Sequence, residues 1–224
     1  MSAPPSPGWM KHLLFSKQYS DCSIKCQGEI FHVHKAVVCT QSPVIAAAMD
    51  GQFREAKTET MNLYSFDIDT VKRMIDFLYT GQFNGDIDET AGYTAKRKKG
   101  KANLTYDLLR IRLQLHSIAD YLEIPALRER AIESICDTLN TDWSPDRFVN
   151  ALKIMIATTK DAKLYEAMAS VAATNITELL ELEGFTQLDM PNQMTMGIAR
   201  ELSKEQKGAR RTPCRCCTKC KNRR

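Results

Sequence analysis

From Asp21 the chain alternates: Cys22, Ile24 and Cys26 fall on one side, Ser23 and Lys25 on the other. That period of two belongs to a half-buried strand. Gln27-Gly28-Glu29 supplies turn residues and Ile30-Phe31-His32-Val33 returns, so the pattern predicts a β-hairpin. The period then lengthens. Lys35–Cys39 reads as a short helix, and Ser42-Pro43 opens another, with Ser as N-cap and Pro at the first helical position. Val44, Ile45, Ala47 and Ala48 face inward there, and Gly51 ends the segment. Glu59–Tyr64 reads as a third strand with Met61 and Leu63 on one face. Asp67 begins a strong helix (Val71, Met74, Ile75, Leu78) that stops at Gly81.

Residues 84–103 break the rhythm. They carry Gly85, Gly92, Gly100 and a run of cations without hydrophobic period, which predicts a surface insertion. Helical spacing resumes over Leu104–Tyr121 (Leu108, Ile111, Leu115, Ile118, Ala119) and Pro125–Leu139 (Leu127, Ala131, Ile132, Ile135). Beyond Asn140 every apolar repeat is helical, in four stripes: Phe148 to Ile156, Leu164 to Val171, Ile176 to Leu180, and Met194 to Leu202. Before the hairpin, Trp9 to Ser16 reads as a short amphipathic helix. The order predicts an α+β fold in which a small sheet wrapped by helices is followed by an all-helical extension. The expected divisions are a flexible segment at 1–8, a first domain at 9–140 holding the 84–103 insertion, a helical extension at 141–206, and a basic, Cys-rich tail at 207–224.

Composition narrows the class. The apolar share of 43% over 224 residues is that of a folded globular chain. No run of 18 or more uncharged apolar residues occurs, which argues against a membrane-spanning helix. The first fifteen residues show no basic segment followed by an apolar run and a small-residue cleavage site, so secretion is not expected. Four of the eight cysteines (Cys22, Cys26, Cys39, Cys136) sit singly in apolar segments, as small buried hydrophobes do. No G-x-S-x-G, phosphate-cradling glycine loop or H-E-x-x-H is present, and the residues point away from an enzyme.

Several of these segments resemble one family. Asp21–Cys26 (DCSIKC), Phe31–Met49 (FHVHKAVVCTQSPVIAAAM), Val71–Gly81 (VKRMIDFLYTG) and Ala119–Ala131 (ADYLEIPALRERA) are similar, in order, to the core motifs of BTB/POZ domains. Trp143–Met155 and Leu179–Phe185 are similar to the helical extension of stand-alone fungal BTB proteins. The resemblance implies a protein-interaction module, with a homodimeric adaptor for a cullin-type ubiquitin-ligase scaffold as the leading reading. Phe53, Arg54 and Glu55 take the place of the hydrophobic-any-Glu triplet that binds the cullin, in the loop after the second core helix. The alternative is that Phe53 folds back on its own domain. Asp21 and Lys35 match a charged pocket at the family's dimer interface, unless they form an ion pair within one domain. Trp9, Leu13 and Leu14 match a helix packed across a dimer partner, unless they cover their own core. His32 and His34 share a strand side at i, i+2, but His34 matches a family position that caps the next helix. No kelch repeat, MATH-like sandwich or row of zinc fingers accompanies these motifs, so the client protein is unnamed.

Charge and thiols add two local features. The net charge of +4 is uneven. Lys96, Arg97, Lys98 and Lys99 form a Gly-flanked run that reads as a nuclear localisation signal or as a solubilising charge run. A nuclear BTB homodimer recruiting partners in transcriptional or chromatin regulation is therefore the alternative function, and the expected location is nuclear, cytoplasmic or both. Cys214, Cys216, Cys217 and Cys220 give four thiols in seven residues. That is the ligand count of a structural zinc site without its usual paired spacing, so zinc, copper(I), redox chemistry and a plain basic tail all stay open. No aromatic interleaves the tail cations to stack bases, and nucleic acid is not the expected partner.

Overall fold

The alternating segment forms β1 (Cys22–Cys26), paired antiparallel with β2 (Glu29–Val33) from Cys22↔Val33 to Cys26↔Glu29. Gln27 (φ 45°) and Gly28 (φ 94°) both take left-handed backbone, the geometry of a two-residue turn whose twist matches the strands it joins. β3 (Thr60–Asn62) lies parallel to β1 on its other side, giving the order β2-β1-β3. The strand expected over Glu59–Tyr64 is thus three residues long, because Glu59 is left-handed (φ 48°) and ends the preceding helix instead. Cys22, Ile24, Cys26, Val33 and Met61 are buried, so one sheet face is core. The computed structural model describes the backbone of residues 8–83 and 101–211 and the side chains of 8–83 and 107–204.

Helices close over that face. α1 (Gly8–Ser16) precedes the sheet, and α2 (Lys35–Gln41), α3 (Pro43–Asp50) and α4 (Arg54–Thr58) form the crossover between β2 and β3. α5 (Ile68–Thr80) buries Val71, Met74, Ile75, Phe77, Leu78 and Tyr79, each worth about 1.5–3 kcal/mol of favourable burial before entropy is counted. Its ends follow the sequence signals: the Asp67 carboxylate accepts from the Thr70 N–H at 2.8 Å, and Gly81 closes it at φ 66°. α6 (Lys101–Tyr121) and α7 (Pro125–Thr141) pack together, with Leu122 and Ile124 buried in their connection. Ser42 ties the two halves of this core. Its Oγ accepts from the Ile45 N–H as N-cap of α3 and donates to the Leu122 carbonyl at 2.5 Å, eighty residues along the chain.

α6 begins at Lys101, so residues 101–103, expected within the irregular insertion, are helical; residues 84–100 lie outside the described residues. Leu109 and Leu113 are buried in α6, whereas Leu108 and Ile111, expected inward, are half-buried. A helix packed by α5, α7 and α8 buries more than one stripe, which a single periodicity does not capture. α8 (Pro145–Thr158) packs on α6, and Asp120 of α6 accepts from Arg128 (3.3 Å) and from the Thr159 hydroxyl (3.2 Å). The compact units divide after Thr159, so α8, read in the sequence as the start of the extension, groups with the first unit.

The second unit, from Lys160, contains α9 (Ala162–Thr174), α10 (Ile176–Leu180), α11 (Glu183–Thr186) and α12 (Asn192–Arg211). α9 and α12 approach so closely that a Cβ at Gly197 would lie 2.8 Å from the Ala169 Cβ; glycine there is a packing requirement. Leu164, Met168, Ala172, Met194 and Ile198 are buried in this unit. α12 continues to Arg211, so residues 207–211, expected in the tail, are helical. Among the described residues, no helix is long and apolar enough to cross a membrane.

Candidate partner-binding surfaces

α3 ends at Gly51, where an added Cβ would sit 2.6 Å from the Ala47 carbonyl oxygen and 2.9 Å from Cδ2 of Phe53. A side chain at 51 would push Phe53 away, so the glycine sets how the next segment leaves the helix. That segment is not the open loop expected at Phe53-Arg54-Glu55. It is α4, with Phe53 as its N-cap residue, Glu55 in its first turn and Lys57 in its last. Acid at the start and base at the end suit the helix dipole, which helps so short a helix to persist. Phe53 is left 64% exposed, Arg54 is exposed and Glu55 is half-buried.

Beside α4 lies an open hollow of about 280 Å³, lined among others by Lys25 on β1, Arg54, Glu55 and Thr58 on α4, Asn62 on β3, and Tyr64. Tyr64 is 66% exposed. A partner would therefore meet one exposed aromatic ring, a carboxylate and two cations around the hollow, with the exposed Phe53 next to Arg54 in sequence. Aromatic anchors with a neighbouring charge-assisted hydrogen bond are the usual substance of a binding hot spot. Tyr64 was not singled out from the sequence; nothing in its spacing distinguishes it from the alternating residues of a strand.

The start of α2 is built differently. The Asp21 carboxylate accepts from the Lys35 backbone N–H at 2.7 Å, while Lys35 Nζ reaches Glu59 at 3.5 Å. Asp21 and Lys35 thus meet through side chain and backbone, and the cation turns to another acid. His34, expected as the cap of this helix, caps nothing with its side chain. Its ring is buried between the Gln18 carbonyl (2.6 Å from Nε2) and the Tyr79 hydroxyl (2.6 Å from Nδ1), and the His34 backbone N–H donates to Tyr79 Oη at 2.9 Å. A carbonyl only accepts, so Nε2 carries the proton and the phenol donates to Nδ1. Burial pushes the Tyr79 phenol up to about 12, so it stays a donor well into the alkaline range. It does the same to the Cys22 thiol, so Cys22 is a packing residue without nucleophilic character.

On α1, Trp9 is 59% and Phe15 68% exposed, with Lys11 Nζ 5.9 Å from the Phe15 ring centre. Leu13 and Leu14 are half-buried, and Met10 and Leu14 pack against the core. His32 faces Ser23, Nδ1 to Oγ 3.3 Å, and among the described residues no three His, Cys, Asp or Glu side chains gather as metal ligands. The candidate nuclear signal (Lys96, Arg97, Lys98, Lys99) and the four tail cysteines (Cys214, Cys216, Cys217, Cys220) lie outside the described residues.

Residues 10–97, which hold the hairpin, the three-stranded sheet and the helices from α1 to α5, match the model of one family: the BTB/POZ domain. The chain carries a BTB/POZ domain. TD and POZ domain-containing protein 3 of Mus musculus is 31% identical over 64 residues, 29% of this chain and 18% of its own. Protein maternal effect lethal 26 of Caenorhabditis elegans is 31% identical over 136 residues, 54% of this chain and 34% of its own. The alignments thus span 18% and 34% of these relatives' lengths. Among solved structures, the BTB domain of human gigaxonin aligns with 59% of this chain and 96% of its own, at 17% identity and a TM-score of 0.36. BTB/POZ domains are protein–protein interaction modules rather than enzymes, and they commonly form homodimers and bind partners.

Proposed function

We propose that this chain is a homodimeric BTB adaptor that joins a client protein to a cullin-type ubiquitin-ligase scaffold, which it holds through Phe53 and Glu55. The observation that carries this reading is Phe53 standing 64% exposed at the start of α4, with Glu55 in the first turn and lining a charged hollow. Trp9 and Phe15 on α1 supply exposed apolar surface for a second copy. No metal or cofactor enters this reading.

Light scattering on the purified chain, alone and with the N-terminal region of a BTB-binding cullin, tests both halves. The expected result is a dimer that shifts to a stoichiometric complex. Phe53→Ala or Glu55→Ala weakens that complex by about 2 kcal/mol, roughly thirtyfold in Kd. A dimer that ignores the cullin transfers the case to the nuclear recruitment module, and a monomer removes the dimer from both.

A further inference from the structure

We propose that the outer edge of β2 pairs antiparallel with the same edge of a second copy of this chain, joining two three-stranded sheets edge to edge. This surface is separate from α1, so the contact stands whether or not α1 also holds a partner. Backbone direction in the sheet decides it. The Ser23 N–H donates to the Glu59 carbonyl and the Lys25 carbonyl accepts from the Leu63 N–H, so these residues of β1 turn their backbone groups toward β3. Cys22, Ile24 and Cys26 therefore turn theirs toward β2, where they meet Val33, Phe31 and Glu29. Ile30 and His32, opposite Lys25 and Ser23, are left with N–H and C=O pointing away from the sheet. β2 is an end strand, and among the described residues nothing bonds to those groups. The edge is closed only where it finishes: His34, the next outward residue, gives its N–H to Tyr79 Oη.

Sheet edges are ordinarily blunted by lysine, proline or a bulge. β2 carries neither residue, and its register with β1 runs unbroken from Val33 to Glu29. Ile30 and His32 are exposed. The edge is also complementary to itself. A twofold axis beside Phe31 sets Ile30 opposite the second copy's His32, and His32 opposite its Ile30. Every outward N–H of one copy then meets an outward C=O of the other. Phe31, packed against the core from β2, falls opposite its own counterpart as a cross-strand aromatic pair. Glu29 falls opposite Val33, so no like charges face each other. Gly28 falls opposite His34 and brings no side chain to the point where α2 departs. A shift of one residue would set outward groups against inward ones and leave donors unpaired. Five residues a side fall short of a permanent interface, which takes about 800 Å² per partner, so the pair forms and parts with concentration.

The test is light scattering on the full chain over a range of concentrations, wild type against Ile30→Pro. Proline lacks the outward N–H but breaks no β1–β2 bond, and edge strands accept it. The wild type is expected to show a species of about twice the largest mass seen in Ile30→Pro, its share rising with concentration. Whatever mass Ile30→Pro keeps reports the α1 contact alone, so equal masses overturn the edge pairing and leave the α1 reading standing. Hydrogen exchange on the wild-type chain covers the case of a variant that does not fold. The Ile30 and His32 amides should exchange about tenfold more slowly in concentrated than in dilute solution, while the Phe31 amide, bonded to β1, stays as it is. Exchange that is fast at every concentration overturns the proposal. Exchange that is slow at every concentration does so too, and gives the edge to another segment of this chain.

Discussion

The polar groups at the start of α2 and those at the start of α4 are treated in opposite ways, although the two helices belong to the same crossover. At α2 they are used up inside the domain. Asp21 caps the helix, Lys35 turns to Glu59, and His34, Tyr79 and Gln18 complete a buried relay. At α4 the arrangement faces outward, with Phe53 exposed at the start of the helix and Tyr64 exposed on a hollow that also bears Arg54, Glu55 and Lys25. A charged residue with a bond inside its own domain is explained by folding. An exposed aromatic ring beside a solvent-facing hollow is not, and it marks where a partner would gain most.

The largest effect should come from breaking the inward cluster. Tyr79→Phe removes the acceptor for the buried His34 N–H and the donor to its ring, and should cost about 2–3 kcal/mol in urea denaturation. The same residue predicts an alkaline limit. The phenol titrates at 10.0 when unfolded and near 12 when folded, so its contribution is complete below pH 10 and is lost as pH rises from 10 to 12. Cys22, raised from 9.0 to about 12, erodes stability over an overlapping window, and burial also raises Cys26, Cys39, Cys136 and Tyr165, so Tyr79→Phe should lessen the alkaline loss without abolishing it. Unchanged alkaline behaviour in Tyr79→Phe would count against the relay.

On the outward side the signature reverses. Phe53→Ala should lose about 2 kcal/mol of partner binding while folding stability moves by less than about 0.5 kcal/mol. If thermal melting shows Phe53→Ala to be strongly destabilised, the ring is core and the contrast fails. Asp21→Ala should cost about 1 kcal/mol through loss of the cap, and Asp21→Asn clearly less, since asparagine caps as well. A dimer that dissociates in Asp21→Asn at unchanged stability would move this residue to the outward class. Smallest of all, Lys35→Ala should shift stability by no more than about 0.5 kcal/mol, because its 3.5 Å pair with Glu59 is partly solvated.

The hairpin, the Ser42-Pro43 and Asp67 helix starts and the Gly81 stop were legible because each depends on residues within a few positions. What escaped were facts of distant pairing. No local pattern places β3 parallel to β1, or joins the Ser42 hydroxyl to Leu122. For the same reason His34 looked like a cap: its position beside α2 is local, whereas its partners Gln18 and Tyr79 arrive from either side of the sequence. The Phe53–Glu55 triplet was legible as residues but not as a helix, since five residues with one acid and one base carry no periodicity to read. Tyr64 became noticeable only once α4 and β3 stood on either side of the hollow.

The bond from His34 to the Gln18 carbonyl reaches beyond stability. Gln18 lies between Lys17 (φ 57°) and Tyr19 (φ 62°), two left-handed residues in the connection that leads out of α1. Fixing that connection to the core also fixes the angle at which α1 leaves it, with Met10 and Leu14 seated and Trp9 and Phe15 held outward. Any molecule that docks on α1 therefore meets a rigid surface rather than a wandering terminus. The freedom such a contact would otherwise surrender has been given up once, when the chain folded, and the encounter can be tight without first ordering anything.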